Sequence, residues 1–175
     1  MYIAAQILGF LSIIVAIIRF GYTRNRKNYF FISIFGFITI GGSYLLLGKM
    51  QGFSMILAST LANLSQGFLS LLKTTEKRGR IYRFTSSVLF GILGIVMFPP
   101  TSLITIIPAT AYTISKFGAG FKNLVTIRKF VFISTIIWFI YALLSKNWFV
   151  AVAEFIVIVI TIRWFVRIAN EVTTI

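Results

Sequence analysis

The chain has 175 residues and a net charge of +14, yet only 11% of its residues are charged and 58% are hydrophobic. A soluble domain carries about a quarter charged residues, so this composition excludes a soluble fold and indicates an integral membrane protein. Because the chain has no Cys, His or Asp, disulfides, thiol nucleophiles, ordinary zinc sites and histidine acid–base chemistry are excluded as well.

Seven apolar runs along the chain predict seven transmembrane helices, since a crossing needs about 20 apolar residues. Pro99-Pro100 ends the short fourth run, because proline resists helix interiors. The connections at 48–51 and 145–147 are so short that their flanking helices must be antiparallel neighbours. We therefore predict an all-α, multi-pass membrane protein with crossings near residues 3–20, 29–47, 52–72, 84–98, 102–117, 130–145 and 148–168.

The cations sort to one side of these crossings. Of the 17 Lys and Arg residues, only Lys49 and Lys146 fall on one side, and the first, third and fifth loops and the carboxyl end carry the others. This assignment places Arg19 in the first loop and Lys116 in the fifth. By the positive-inside rule, the N-terminus lies outside and the C-terminus in the cytoplasm. The charge thus predicts topology and attraction to anionic membrane lipids, and no nucleic-acid partner is expected.

The helix triplets at the two ends of the chain share one order of features. Tyr44-Leu45-Leu46-Leu47-Gly48-Lys49 ends the second crossing, and Tyr141-Ala142-Leu143-Leu144-Ser145-Lys146 ends the sixth. Both triplets run from outside to inside, which makes them parallel copies. We predict a 3+1+3 architecture: a three-helix repeat over 1–73, a basic loop and linker helix over 74–101, and a second repeat over 102–175. Duplicated halves are common in transporters, which handle substrate near the midplane where the halves meet.

Several short motifs, taken in order, resemble the YgjV family of bacterial inner membrane proteins over roughly residues 4–168. They are Ala5-Gln6, the Leu46-Leu47-Gly48 turn, the Ala58…Asn63 stretch, and Glu154 with Arg167 thirteen residues behind it. That family is distantly related to the SWEET and PQ-loop (MtN3-like) superfamily of seven-helix transporters built as 3+1+3. The resemblance implies this architecture and a place in the bacterial cytoplasmic (inner) membrane, and it implies no particular substrate. The Pro-Gln pair of the PQ-loop group is absent, since Gln6 follows Ala5 and Pro108 precedes Ala109.

A polar strip marks the third crossing. Ser59, Asn63, Gln66 and Ser70 are spaced by four, three and four residues, so they share one helix face. Asn63 lies about 16 Å from the start of the run, close to the midplane. Because a buried amide in lipid needs a hydrogen bond, we expect this face to point inward. It either lines a substrate path or binds neighbouring helices together.

Glu154 is the one acidic residue inside an apolar run. A charged group at the centre of a membrane helix costs roughly 2.5–3.5 kcal/mol, so something must offset it. Glu154 lies about 9 Å from the outer end of the seventh crossing. Two interpretations stay open. It is either a proton-coupled or substrate-gripping carboxylate, or a structural acid held neutral or bonded to Tyr141, Lys146 or a backbone carbonyl.

Three further candidates lie on the fifth and sixth crossings. Pro108 frees the carbonyl of Ile104, which gives a hinge, a polar contact facing a cavity, or a plain kink of the kind that membrane helices tolerate. Tyr112 lies one turn along the same face. Trp138 either stacks against a ligand ring or fills core space.

The favoured function is a small-solute transporter, in which two pseudo-symmetric bundles rock around a midplane pocket in the manner of SWEET proteins. The alternative is a non-transporting membrane factor, such as an immunity or envelope-stress protein, and an intramembrane enzyme is the least favoured class. We expect no catalytic residue, metal or cofactor. Besides lipids, the expected partner is a small-molecule substrate, and a homo-oligomer stays open. The predicted substrate-binding residues are Ser59, Asn63, Gln66, Pro108, Tyr112, Trp138 and Glu154.

Overall fold

The computed structural model describes residues 1–19, 26–69, 76–119, 121 and 124–173. In these ranges the chain forms seven α-helices and no strand, which confirms the all-helical prediction. The helices are α1 (Tyr2–Ile17), α2 (Arg26–Leu46), α3 (Met50–Leu69), α4 (Glu76–Met97), α5 (Leu103–Ala119), α6 (Leu124–Leu144) and α7 (Trp148–Thr173).

Several helices extend beyond the apolar runs that predicted them. α4 begins at Glu76 rather than near 84, and α6 begins at Leu124 rather than near 130. Lys and Arg are good helix formers, and their long stems cover apolar surface while their charges reach water, so a basic residue does not end a helix. Lys116, which the sorting of cations assigned to the fifth loop although the predicted crossing ran to residue 117, lies inside α5, so the loop assignment is wrong. Arg19 likewise lies in helical backbone directly after α1.

Part of the described chain is long and apolar enough to cross a membrane. Judged by length and composition, three stretches of the described residues qualify, and two further helices are apolar but shorter. Large hydrophobic side chains are exposed along α1, α4 and α7, which is typical of a surface that faces lipid rather than water. The three long stretches are Arg78–Met97, Val125–Leu144 and Trp148–Arg167, and the shorter ones are Tyr2–Ile17 and Ile34–Leu46.

Three connections lie together at one end of the bundle. The α2–α3 turn, the α4–α5 connection and the α6–α7 turn surround one groove of about 440 Å³. We call this end, with residues 47–49, 98–102 and 145–147, the short-turn end. The first half of α1 lies there too, since Ser43 near the end of α2 donates a hydrogen bond to the carbonyl of Ala5 (2.8 Å). Successive helices therefore alternate in direction, and α1, α3, α5 and α7 run away from the short-turn end.

The α2–α3 and α6–α7 turns have the same hydrogen bonds. In each, one residue has left-handed backbone, at Gly48 (φ 68°) and at Lys146 (φ 57°). That residue donates its N–H to the carbonyl three residues back, and the next residue donates to the carbonyl five residues back, which makes each turn a Schellman motif. The letter match of Lys49 with Lys146 is therefore off by one position, because the backbone aligns Lys49 with Asn147.

The helix contacts follow a closed path. α1 packs against α2, α2 against α3, α3 against α5, α5 against α6, α6 against α7, and α7 back against α1. α4 stands beside this ring and packs against α3 and α5. Six helices thus surround a common interior, and α4 covers one of the joints between them.

Candidate functional site

A cavity of about 90 Å³ lies inside the ring of six helices. Space for one water molecule takes about 10–15 Å³, so this cavity has room for several water-sized atoms. All six helices of the ring, with Arg19 at the extension of α1, contribute lining side chains, and none of the described lining residues comes from α4. The polar lining comprises Ser12, Arg19, Ser59, Asn63, Ser115, Lys116, Ser134, Thr135 and Glu154.

α7 brings a carboxylate to this cavity. Ala151 and Ala153, in the turn just before Glu154, are buried, and so is Val157, three residues after it. These small and branched side chains let α7 pack closely against α1 and α6. Glu154 consequently lines the cavity, whereas the next side chain, Phe155, is exposed on the outside of the bundle.

α5 brings a buried ammonium group to the same cavity. Lys116 is only 5% exposed, and its Nζ donates hydrogen bonds to the carbonyl oxygen of Ser59 (3.2 Å) and to Oδ1 of Asn63. Both acceptors lie on α3, so the lysine side chain joins two neighbouring helices of the ring. A buried charge needs hydrogen-bond partners of this kind to be tolerated.

A second cation lies near the first. The guanidinium carbon of Arg19 is 5.5 Å from the centroid of the Phe37 ring, and Nζ of Lys116 is 5.9 Å from it. These distances are within the range of cation–π attraction. The positive charge of Arg19 repels that of Lys116 and attracts the carboxylate of Glu154. Two positive charges and one carboxylate therefore share one small space.

Most hydroxyl groups that line the cavity already donate their hydrogen to a carbonyl oxygen of the protein backbone. Each of four Ser and Thr side chains donates its hydrogen to a backbone carbonyl. Since a hydroxyl oxygen also has two acceptor lone pairs, these groups offer mainly acceptors to whatever fills the cavity. The bonds are Ser12 to Gly9 (2.6 Å), Ser115 to Tyr112 (2.9 Å), Ser134 to Ala111 (2.8 Å) and Thr135 to Val131 (2.8 Å).

Three aromatic side chains in mutual contact reach from the cavity to the groove at the short-turn end. Trp138 lines the cavity and Tyr141 lines the groove. The rings of Tyr44 and Tyr141 have centroids 5.3 Å apart, and Trp138 lies 6.1 Å from Tyr44 and 5.8 Å from Tyr141. Tyr44 and Tyr141 are almost completely buried. We call these three residues the aromatic cluster.

The structure brings four of the seven predicted site residues to the cavity: Ser59, Asn63, Trp138 and Glu154. It places the other three elsewhere. Gln66 donates from Nε2 to Oγ of Ser87 on α4 (3.1 Å), and the hydroxyl of Tyr112 donates to the carbonyl of the same Ser87 (2.7 Å). Pro108 is fully buried within the bundle. Ser70, the end of the predicted polar strip, lies outside the described residues.

The reason for this division is the position of α4. Gln66 lies three residues after Asn63, which turns it away from the cavity by a fraction of a helix turn and towards α4. A helix regarded as a mere connector thus takes up the polar groups of its neighbours. Pro108, Tyr112 and Lys116 follow one another at four-residue spacing along α5, but only Lys116 of the three lines the cavity, so this spacing alone does not identify it.

Comparison with known proteins places the chain among membrane proteins. A family model described as Imp-YgjV, bacterial inner membrane protein, matches residues 3–172. No curated protein matches the chain, and no solved structure does. Among the described residues, no group of three His, Cys, Asp or Glu side chains could hold a metal ion.

Proposed function

The chain belongs to the Imp-YgjV family of bacterial inner membrane proteins, and from this premise we propose that it is a transporter of small solutes with alternating access to its central cavity. One observation carries the proposal. The single carboxylate embedded in an apolar run and a buried ammonium group both line one cavity among six helices. An ionisable group inside a membrane protein typically marks a substrate or ion pathway.

We further propose that all seven helices cross the membrane, with the N-terminus outside and the C-terminus in the cytoplasm. The exposed cations support this orientation, because few lie at the short-turn end and many at the other. Positive residues concentrate on the cytoplasmic side, so the short-turn end faces outside. Lys49 and Lys146 are exposed at the short-turn end, and Arg78, Arg80, Lys129, Arg163 and Arg167 are exposed towards the opposite end.

In this proposal the moving halves are the triplets of residues 1–73 and 102–175, arranged as 3+1+3. Their identical Schellman turns support a duplicated origin. The triplets meet where α1 packs against α7 and where α3 packs against α5, and α4 lies at the second of these joints. Each half contributes three helices to the cavity, so a relative motion of the halves changes which side of the membrane the cavity faces.

The aromatic cluster serves as the outer gate of this transporter. It lies between the cavity, which Trp138 lines, and the outer groove, which Tyr141 lines. Tyr44 comes from the first triplet and the other two residues from the second. Separation of the halves therefore pulls the cluster apart, which is the behaviour required of a gate.

Single-cysteine labelling tests alternating access without knowledge of the substrate. Because the chain has no native Cys, only the introduced thiol can react. Ser59→Cys places a thiol in the cavity, and a membrane-impermeant thiol reagent is then added to either side of oriented proteoliposomes. A transporter exposes this thiol to both sides in turn. Labelling from one side alone, or from neither, would contradict the proposal and favour the non-transporting membrane factor.

Three control positions are available. Leu89 is exposed on the apolar outside of α4, so Leu89→Cys should resist the reagent from both sides. Lys146→Cys should react only from the side of the short turns, and Lys129→Cys only from the other side. Reaction of both of these thiols from a single side would contradict the proposed topology.

A further inference from the structure

We propose that the cavity binds a small zwitterion, whose carboxylate lies at Lys116 and whose ammonium group lies at Glu154. This inference rests on the proposed transport function and names the class of substrate. It is drawn from the placement of charges, from the direction of the hydroxyl hydrogen bonds and from the size of the cavity.

The opposite charges lie at different depths. Glu154 lies six residues after the start of α7, or about 9 Å from the short-turn end. The ammonium of Lys116 contacts Ser59 and Asn63, which lie nine and thirteen residues into α3, or about 14–20 Å from the same end. The negative group is therefore about 5–10 Å nearer to the short-turn end than the positive one. Two charge-assisted hydrogen bonds of about 2.8 Å each, with a small zwitterion between them, fill such a gap.

Lys116 lines the cavity and has one hydrogen beyond those in its two described hydrogen bonds. Its ammonium group has three donors, and the two hydrogen bonds described for it go to neutral oxygens, the Ser59 carbonyl and the Asn63 amide. At 5% exposure the lysine gains little from solvent. Arg19, at the extension of α1, lies over the ring of Phe37, which Lys116 also approaches. A carboxylate arriving here meets positive charge and a free N–H donor, which is the environment that it binds best.

The other part of the cavity suits an ammonium group. Glu154 supplies negative charge there. The hydroxyl groups of Ser12, Ser134 and Thr135 lie deeper, about 14–15 Å from the short-turn end, and point their hydrogens at backbone carbonyls. Their free lone pairs accept hydrogen bonds. A carboxylate ligand without an ammonium group would place its apolar part next to Glu154 and these hydrogen-bond acceptors, which would then lack a donor. A plain amine would leave Lys116 without a counter-charge.

The size of the cavity limits the ligand to a small molecule. At about 90 Å³, it has room for several water-sized groups, which a small α-amino acid such as alanine satisfies. An uncharged sugar would leave both Lys116 and Glu154 without a counter-charge. The paired charges, rather than the volume, therefore favour an amino-acid-like solute over a sugar.

Three matched probes test the proposal with the full-length protein in detergent and in proteoliposomes: L-alanine, propionate and ethylamine. Propionate lacks only the ammonium group of alanine, and ethylamine lacks only its carboxylate. We expect alanine to bind at least about tenfold more tightly than either analogue, because a site that reads a polar group discriminates strongly against its loss. Equal binding of propionate and alanine, or of ethylamine and alanine, would overturn the proposal.

Two variants assign the charges. Glu154→Gln, which keeps the shape of the side chain, should remove most of the advantage of alanine over propionate while leaving its advantage over ethylamine. Lys116→Gln should do the opposite. Lys129→Gln is the matched control, since it removes an exposed cation that does not line the cavity. An unchanged ranking in Glu154→Gln would overturn the assignment, and this result does not depend on whether Lys116→Gln folds.

The failure of this inference can be told apart from failure of the transport proposal. If alanine does not bind but Ser59→Cys is labelled from both sides of the membrane, the substrate class is wrong and alternating access stands. If Ser59→Cys is labelled from one side only and alanine still binds, the cavity is a receptor site and transport is wrong.

Discussion

The ammonium group of Lys116 on α5 donates a hydrogen bond to the amide oxygen of Asn63 on α3, in a place where Lys116 is only 5% exposed. This bond crosses the joint between two helices of the ring that are far apart in sequence. Because it is charge-assisted and shielded from water, it is stronger than an ordinary surface contact. Any motion that separates α3 from α5 has to break it or replace it, for example with a bound carboxylate.

The first prediction concerns the strength of this bond. Asn63→Leu should lower the free energy of unfolding by about 2–3 kcal/mol, because a buried charge loses one of its partners. Unfolding in detergent, followed by circular dichroism, measures the change. Thr113→Val on the exposed side of α5 is the control and should be nearly neutral. Adding Lys116→Met to Asn63→Leu should recover part of the loss, and a purely additive double variant would contradict this account.

The second prediction uses the two equivalent turns. Lys146 has left-handed backbone (φ 57°), which costs a residue with a Cβ atom about 1–2 kcal/mol. Lys146→Gly should therefore raise the free energy of unfolding by about 1 kcal/mol. Gly48→Ala should lower it by a similar amount, since Gly48 has the same conformation (φ 68°) without that strain. Shifts of the same sign in the two variants would contradict the equivalence of the turns.

The sequence predicted the helices well because apolar length is a direct requirement of a bilayer. Ser59, Asn63 and Glu154 could be predicted for a related reason, since a polar side chain inside an apolar run has to face the protein interior rather than lipid. Trp138 lies in the cavity as expected, although its aromatic nature fits core packing as well.

Lys116 and Arg19 escaped prediction because a cation near the end of an apolar run is usually in a loop or reaches out to the surface. Whether such a side chain turns inward depends on the acceptors of other helices, here Ser59 and Asn63, and a single run does not contain that information. Gln66 was placed in the cavity because its helix face was considered without α4. Helix neighbours, unlike helix positions, are a tertiary property.

The third prediction separates Tyr112 from the cavity. Its hydroxyl donates to the carbonyl of Ser87 on α4 (2.7 Å), and it is absent from the cavity lining. Tyr112→Phe should lower the free energy of unfolding by about 1 kcal/mol through the lost hydrogen bond. The affinity ranking of alanine, propionate and ethylamine should stay as in the parent protein. A changed ranking, measured by calorimetry, would return Tyr112 to the binding site.

The fourth prediction concerns the aromatic cluster. Gly52 on α3 lies against Tyr141, and a Cβ atom at this position would be 2.8 Å from Cε1 of Tyr141 and 3.0 Å from its hydroxyl oxygen. Gly52→Ala therefore forces the tyrosine ring to move, and overpacking of this kind typically costs about 1–3 kcal/mol. Gly36→Ala is the control, because its Cβ atom would meet only Val15, at an ordinary 3.4 Å.

The displaced ring has a consequence for access as well as for stability. Tyr141 contacts both Tyr44 and Trp138, so its movement loosens the barrier between the cavity and the groove at the short-turn end. In the Ser59→Cys background, Gly52→Ala should speed labelling from the short-turn side and leave labelling from the other side unchanged, whereas Leu89→Ala, on the exposed outside of α4, should alter neither. Equal acceleration from both sides would mean that the substitution loosens the whole bundle, and the aromatic cluster would then be packing rather than a gate.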